Sequence, residues 1–149
     1  MFRPVTMRDA SEAALPAFAA MEAAPEVRRF IRALSLAEHK AAFAQPEIRY
    51  LCVHHGPELV GFFLLAVEED GKSVEMRRIV MARRGDGIGQ RALREFERFS
   101  RESLGRSRIW LDVFEDNARG RHIYEKLGYT RFGELDHQGR VLLLYEKTL

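Results

Sequence analysis

The stretch Arg84-Gly85-Asp86-Gly87-Ile88-Gly89 follows an apolar run, Ile79-Val80-Met81, and leads directly into a helical pattern that begins Ile88-Gly89-Gln90. That order builds an anion site. A strand feeding a glycine-rich turn into a helix leaves backbone N–H groups unpaired and aimed at one point, with the positive end of the helix dipole behind them. Glycine at 85, 87 and 89 removes the Cβ atoms that would hold a phosphate away. Two nucleotide patterns are excluded by the letters. The P-loop needs Gly-Lys-Ser/Thr where this chain has Gly89-Gln90-Arg91, and the dinucleotide pattern G-x-G-x-x-G needs a glycine where it has Gln90. What remains is Arg84-x-x-Gly87-x-Gly89, for which an ordinary strand-to-helix turn is the competing account.

A second constellation lies downstream. Trp110-Leu111-Asp112-Val113-Phe114 alternates as a strand does, Asn117 stands seven residues before Tyr124, and Leu127-Gly128-Tyr129 closes the segment. The first pattern resembles the acetyl-CoA pyrophosphate loop of the GCN5-related N-acetyltransferases. The second resembles the same family's closing signature: a strand, an asparagine, a short helix carrying a tyrosine, then leucine-glycine-aromatic. The two occur in the family's order, and the resemblance runs over nearly the whole chain, strongest over residues 73–133. It implies one mixed α/β sheet of about seven strands with four helices, and an acetyl group moved from acetyl-CoA to a primary amine of a small molecule or a protein N-terminus.

The resemblance also distributes roles. The backbone of Arg84, Gly85, Asp86, Gly87, Ile88, Gly89 and Gln90 would hold the pyrophosphate, and Ile79, Val80 and Met81 would hydrogen-bond the pantetheine arm as an added strand does. Acylation of an amine by a thioester needs a neutral amine, a stabilised oxyanion and a proton for the departing thiolate. Tyr124 is the candidate acid, since a phenol of pKa ~10 can protonate a thiolate whereas a carboxylate at neutral pH has no proton to give; a core tyrosine is the plainer account. Asn117 either contacts the pantetheine arm or caps the following helix. The base is Asp112 or Glu75, both in strand patterns beside the expected cleft, and each has a structural alternative in an arginine partner, Arg77 for Glu75. Over residues 110–129 the chain is similar to the ribosomal-protein alanine acetyltransferases, whose catalytic carboxylate falls at Asp112; an aspartate there is short and would work through a bridging water. Asp86 departs from the usual pattern, because a carboxylate facing a pyrophosphate is repelled, so its side chain must point away.

Composition sets the outer bounds. At 149 residues the chain is one domain, residues 1–149, and buries a sizeable core. Twenty-four Lys and Arg against twenty-two Asp and Glu leave +2, too balanced to indicate nucleic acid. The single cysteine, Cys52, reads as a buried structural thiol and fits a reducing cytoplasm. No membrane span and no metal-ligand spacing are found among the letters. A homodimer is what the family suggests. The alternative to an enzyme is a non-catalytic acyl-CoA-binding regulatory module that kept the loop and lost the chemistry.

The elements that must position these residues follow from periodicity. A strand is expected over residues 2–7, then a helix opened by Ser11 with Leu15 and Phe18 inward and Pro25 closing it. A second helical region covers residues 26–44, restarting at Ser35. Strands at 48–54 and 59–67 join through Gly56-Pro57, and Asp70-Gly71 turns into a strand over 73–82. From Ile88 a helix presents Ala92, Phe96 and Phe99 to the sheet and stops by Gly105; the strand at 109–114 then lies parallel to the previous one. A helix over 118–127 and strands at 129–135 and 141–147 complete the chain. Glu22, Glu26 and Glu38 in the early helical regions either greet a cationic amine or lie on solvated faces.

Overall fold

Residues 48–55 and 58–67 are apolar almost without a break, so strands built from them need cover on both faces. The computed structural model describes residues 3–28, 31–83 and 85–149. Among them seven strands form one sheet in the order β1-β2-β3-β4-β5-β7-β6. The strands are β1 (Val5–Asp9), β2 (Ile48–His55), β3 (Glu58–Val67), β4 (Ser73–Met81), β5 (Arg108–Phe114), β6 (Thr130–His137) and β7 (Arg140–Thr148). The helices are α1 (Leu15–Glu22), α2 (Pro25–Arg28), α3 (Leu36–Phe43), α4 (Ile88–Glu102) and α5 (Ala118–Lys126), so a single short turn, α2, exceeds the expected four.

Alternate residues of β2 and β3 feed two separate cores. Leu51, Val53, Phe63 and Leu65 face α4 and α5, where Phe63 stacks on Phe96 at 4.7 Å between ring centroids. Tyr50, Cys52, Phe62 and Leu64 face α1 and α3, with Phe18 stacked on Phe62 at 4.3 Å. The stripe Ile88, Ala92, Phe96 holds as expected, with Leu93 also buried and Phe99 half-buried. Cys52 is a buried free thiol whose pKa burial pushes up. Trp110 is not core: it is half-buried, donates its indole N–H to Glu68 at 2.9 Å and packs edge-on to Phe132.

The early chain departs most from expectation. The first strand begins at Val5, and Phe2 lies outside the described residues. Ser11 leads into a 3-10 turn, Glu12–Ala14, without a side-chain cap, and α1 starts only at Leu15. Pro25 opens α2 rather than simply ending α1, because proline at a first helical position gives up an N–H that has no partner there. Ser35 does restart a helix: its hydroxyl accepts from the Glu38 N–H at 3.1 Å, and Glu38 accepts from the Ser35 N–H at 3.0 Å. Residues 29 and 30 of the expected region 26–44 lie outside the described residues.

Candidate active site

The two parallel strands at the centre of the sheet do not stay together. β4 and β5 pair only at Ser73 with Arg108, Val74 with Ile109 and Glu75 with Trp110. Beyond Glu75 they splay. On its other side β4 remains paired to β3 as far as Met81, with a bulge that skips Arg77 between Met76 and Arg78. The free edge of β4 thus faces the free end of β5 across a cleft of about 460 Å³, a volume in the ordinary range for ligand sites.

At one end the cleft is closed by the glycine turn. Ile88 N–H bonds the Gly85 carbonyl at 3.2 Å and Arg91 N–H bonds the Gly87 carbonyl at 3.0 Å, while the N–H groups of Gly89 and Gln90 have no partner among the described residues. Behind them stands the fifteen-residue α4 with its dipole. Gly87 caps α4 at φ +66°, a left-handed angle that costs a side-chain-bearing residue about 1–2 kcal/mol. A Cβ built at Gly85, Gly87 or Gly89 meets nothing within 4 Å. The glycines therefore keep space open for a ligand rather than making room for the protein's own atoms, which is the fit that a pyrophosphate requires. Asp86 also sits at positive φ, 57°, but its exposed side chain is not among those lining the cleft.

On the β5 side stand two groups able to move protons. Tyr124 of α5 is buried against Tyr129, 5.8 Å between ring centroids, yet lines the cleft, and its hydroxyl makes no hydrogen bond among the described residues. Burial first and the charge of Asp112 second raise its pKa above that of a free phenol, so it keeps its proton at neutral pH. Asp112 of β5 opens into the same cleft without an ion-pair partner among the described residues. Burial raises its pKa above the ordinary carboxylate value, against an opposing pull from His137. Asn117 caps α5, accepting from Gly120 N–H at 3.0 Å, and borders the cleft as well, so both roles foreseen for it are open at once.

Of the residues singled out from the sequence, Ile79, Val80, Met81, Gly85, Gly87, Ile88, Gly89, Gln90, Asp112, Asn117 and Tyr124 line one cleft. Arg84 lies outside the described residues. Asp86 does not line the cleft. Glu75 is a correction: it belongs to the stretch of β4 still paired to β5, lines a different surface groove, and donates nothing to the cleft because Arg77 Nε holds it at 2.9 Å. Glu22 is a correction too, being wholly buried and ion-paired, whereas Glu38 lies on a solvated face as one of its two readings had it, serving there as the α3 cap partner and bonded also to Arg32 at 3.2 Å. Glu26 alone of the three reaches the cleft. Arg78, one of the arginines flanking the glycine turn in the sequence, lines the cleft as well, as do Phe114 and Arg119, which sequence reasoning missed; Arg119, two places after Asn117, was marked by nothing but its position.

A mixed sheet split between parallel strands, with a glycine turn of unpaired N–H groups and a tyrosine and carboxylate lining one cleft, is the arrangement expected of an acyltransferase using a phosphate-bearing acyl donor. Comparison with known proteins agrees. The acetyltransferase (GNAT) family matches residues 9–129. A spermine/spermidine N(1)-acetyltransferase of Bacillus subtilis strain 168 is 28% identical over 102 residues, covering 63% of this chain and 67% of that protein. Among solved structures, spermidine N-acetyltransferase from Vibrio cholerae in complex with CoA and spermine superposes with a TM-score of 0.83 at 17% identity, over 97% of this chain and 95% of that one. The aminoglycoside acetyltransferase AAC(6')-Ib in complex with coenzyme A and kanamycin gives 0.82 at 18% identity, over 97% and 94%. The chain belongs to the GNAT acetyltransferase family and is an acetyl-CoA-dependent N-acetyltransferase.

Proposed function

We propose that the chain transfers the acetyl group of acetyl-CoA to a primary amine of a small molecule or a protein N-terminus by direct attack, with Asp112 as base and Tyr124 as acid. The observation that carries this reading is that an unbonded hydroxyl and an unpaired carboxylate open into the one cleft that the glycine turn closes. In the reaction the amine nitrogen bonds the thioester carbon while its surplus proton passes to Asp112, directly or through a water. Backbone N–H groups on the free edge of β4 are the donors available to the oxyanion. The carbon–sulfur bond then breaks, and the thiolate takes the Tyr124 proton; return of a proton from Asp112 by way of solvent resets both groups. The raised pKa of Asp112 makes it a stronger base than an ordinary aspartate, while that of Tyr124 makes it a weaker acid than a free phenol, so its proton moves to sulfur only as the carbon–sulfur bond breaks and thiolate charge develops.

Glu26 and Asp112 are the two carboxylates on the cleft lining; of its arginines Arg77, Arg78 and Arg83 are offset by Glu75, Glu22 and Glu58, and Arg119 alone has no ion pair among the described residues. That balance favours a cationic acceptor, in keeping with the amines named for the similar proteins. A reducing cytoplasm is supported by the lone thiol of Cys52, and a homodimer by β6, an edge strand exposed along nearly its whole length. The test is thermal melting with and without saturating acetyl-CoA, followed by thiol release with an amine panel. Ligand at about 100 times its Kd stabilises by ~2.7 kcal/mol, which raises the midpoint of a domain this size by roughly 5–10 °C. No shift at millimolar acetyl-CoA would refute the donor site, and a shift without thiol release would leave a non-catalytic acyl-CoA-binding module.

A further inference from the structure

Behind β4, on the α1–α3 side of the sheet, lies a polar chain that the acyl-transfer chemistry does not use. The side chains of Glu22 and His39 have no solvent exposure at all. Glu22 Oε1 accepts from His39 Nε2 at 2.6 Å and from the Leu34 N–H at 3.2 Å, and Oε2 accepts from Arg78 Nη1 at 2.7 Å. His39 Nδ1 is 2.6 Å from the Tyr50 hydroxyl. A neutral imidazole donating from Nε2 and accepting at Nδ1 satisfies every contact, with Tyr50 as donor. The one negative charge, on Glu22, is then offset by the one positive charge, on Arg78.

Stability is a poor reason for such an arrangement, since desolvating two ions largely cancels their attraction and apolar side chains would hold α1 to the sheet as well. What apolar side chains cannot do is fix a guanidinium. Arg78 stands on β4 immediately after the bulge at Arg77, and both hydrogens of Nη1 are committed, one to Glu22 and the other to the Arg32 carbonyl at 2.6 Å. Its side chain is 16% exposed and lines the cleft. Among the described residues no partner takes Nε or Nη2, and neither atom is sealed from solvent. Three N–H donors of a guanidinium whose charge is already balanced are thus held at the cleft wall, on the strand that carries the thioester's expected binding edge.

We propose that Arg78 is a specificity-determining residue that docks an oxygen atom of the acceptor near its amine, and that Glu22 and His39 are positioning residues that hold its guanidinium there. The inference rests on the transferase reading above and narrows its acceptor. With Glu26 and Asp112 drawing the ammonium and Arg78 the oxygen, amino alcohols, amino sugars and amino amides are the substrate class, ahead of alkylamines of equal length. A site built to hydrogen-bond a substrate oxygen discriminates against the analogue that lacks it, because an analogue seated over the donors takes away their water and leaves them unpaired.

The experiment measures thiol release for matched pairs, an amino alcohol or amino amide against the alkylamine of the same length, with wild type, Arg78→Lys and Glu22→Gln. Lysine keeps the ion pair with Glu22 but loses the fork. Wild type is expected to favour the oxygen-bearing member at least tenfold in kcat/KM. Arg78→Lys should raise the KM of that member tenfold or more, leave the KM of the alkylamine and of acetyl-CoA within twofold, and leave kcat nearly unchanged; Glu22→Gln should reproduce this pattern. Equal preference in wild type, equal loss for both amines in Arg78→Lys, or a raised acetyl-CoA KM would overturn the assignment. Should Glu22→Gln fail to fold, the wild-type and Arg78→Lys comparisons still decide. Thiol release with neither amine refutes the transferase reading instead. Melting shifts by the same pairs in the presence of coenzyme A then decide the Arg78 assignment, a wild-type preference for oxygen lost in Arg78→Lys supporting it and its absence refuting it.

Discussion

Replacing Tyr124 by phenylalanine removes one oxygen atom from the cleft, and the structure indicates what that atom is worth in each respect. For stability it is worth little. The hydroxyl bonds nothing among the described residues, so no buried partner is orphaned, while the ring keeps its contact with Tyr129 at 5.8 Å and its place in the main core. The expected change is within ~1 kcal/mol, or about 2–4 °C in Tm for a domain of this size. For acetyl-CoA binding it is also expected to be worth little, since the glycine turn proposed to hold the donor's phosphates opens α4 whereas Tyr124 is carried by α5. For turnover, loss of a positioned proton donor costs typically 10²–10⁴-fold, roughly 3–5 kcal/mol of transition-state stabilisation. The assay is release of coenzyme A thiol, read with a chromogenic thiol reagent at saturating amine; Cys52, buried with a raised pKa, reacts too slowly to contribute. A kcat within threefold of wild type would refute the general-acid role, and a large loss of acetyl-CoA affinity alongside kcat would show that the hydroxyl binds rather than donates.

Other perturbations test the rest of the site. Asp112→Asn should abolish most turnover and raise Tm slightly at most: the raised pKa means the carboxylate's charge opposes folding above its folded pKa, but the exposure of Asp112 to solvent screens that opposition. By the same sign, the acid limb of the wild-type kcat/KM profile should lie above the ordinary aspartate pKa of ~3.9, and a limb at or below it would argue against Asp112 as base. Gly61→Ala puts a Cβ 2.4 Å from the Val80 carbonyl oxygen and 2.7 Å from Met81 Sδ, forcing β3 from β4 where β4 walls the cleft; a loss of about 2–3 kcal/mol, or 5–10 °C in a melt, is expected. Gly87→Val should weaken acetyl-CoA binding at least tenfold in calorimetry, because it combines a left-handed strain with a side chain in the cradle. Asp86→Lys should change that affinity by no more than about threefold, within what a screened surface charge supplies, since the Asp86 side chain does not line the cleft.

Motif legibility followed from locality. The glycine turn, Asn117 and Tyr124 are each fixed by neighbours a few residues away, so their types and spacing carry the geometry directly. Glu75 was misplaced because alternation along a strand tells which face a side chain takes but not where two strands part; the cleft opens one residue beyond it, and Asp112 falls past the opening on β5. The pairing of Glu22 with His39 and Arg78 was illegible, since sequence separations of 17 and 56 leave no local trace. Arg78 in turn was submerged among flanking arginines whose partners only packing reveals.

By itself, then, the sequence determined the alternation that covers both faces of β2 and β3, the stripe that lays α4 on the sheet, the turn that leaves Gly89 and Gln90 N–H groups unpaired, and the family to which the chain belongs. These are short-range properties, set by periodicity and by what glycine, proline and asparagine do to their own backbone. Tertiary structure decided which carboxylate meets the cleft, which arginines are offset by which acids, and that Glu22 and His39 hold a guanidinium at its wall. Those depend on where distant strands and helices converge and on how completely water is excluded there, and burial of that kind is a property of the assembled fold.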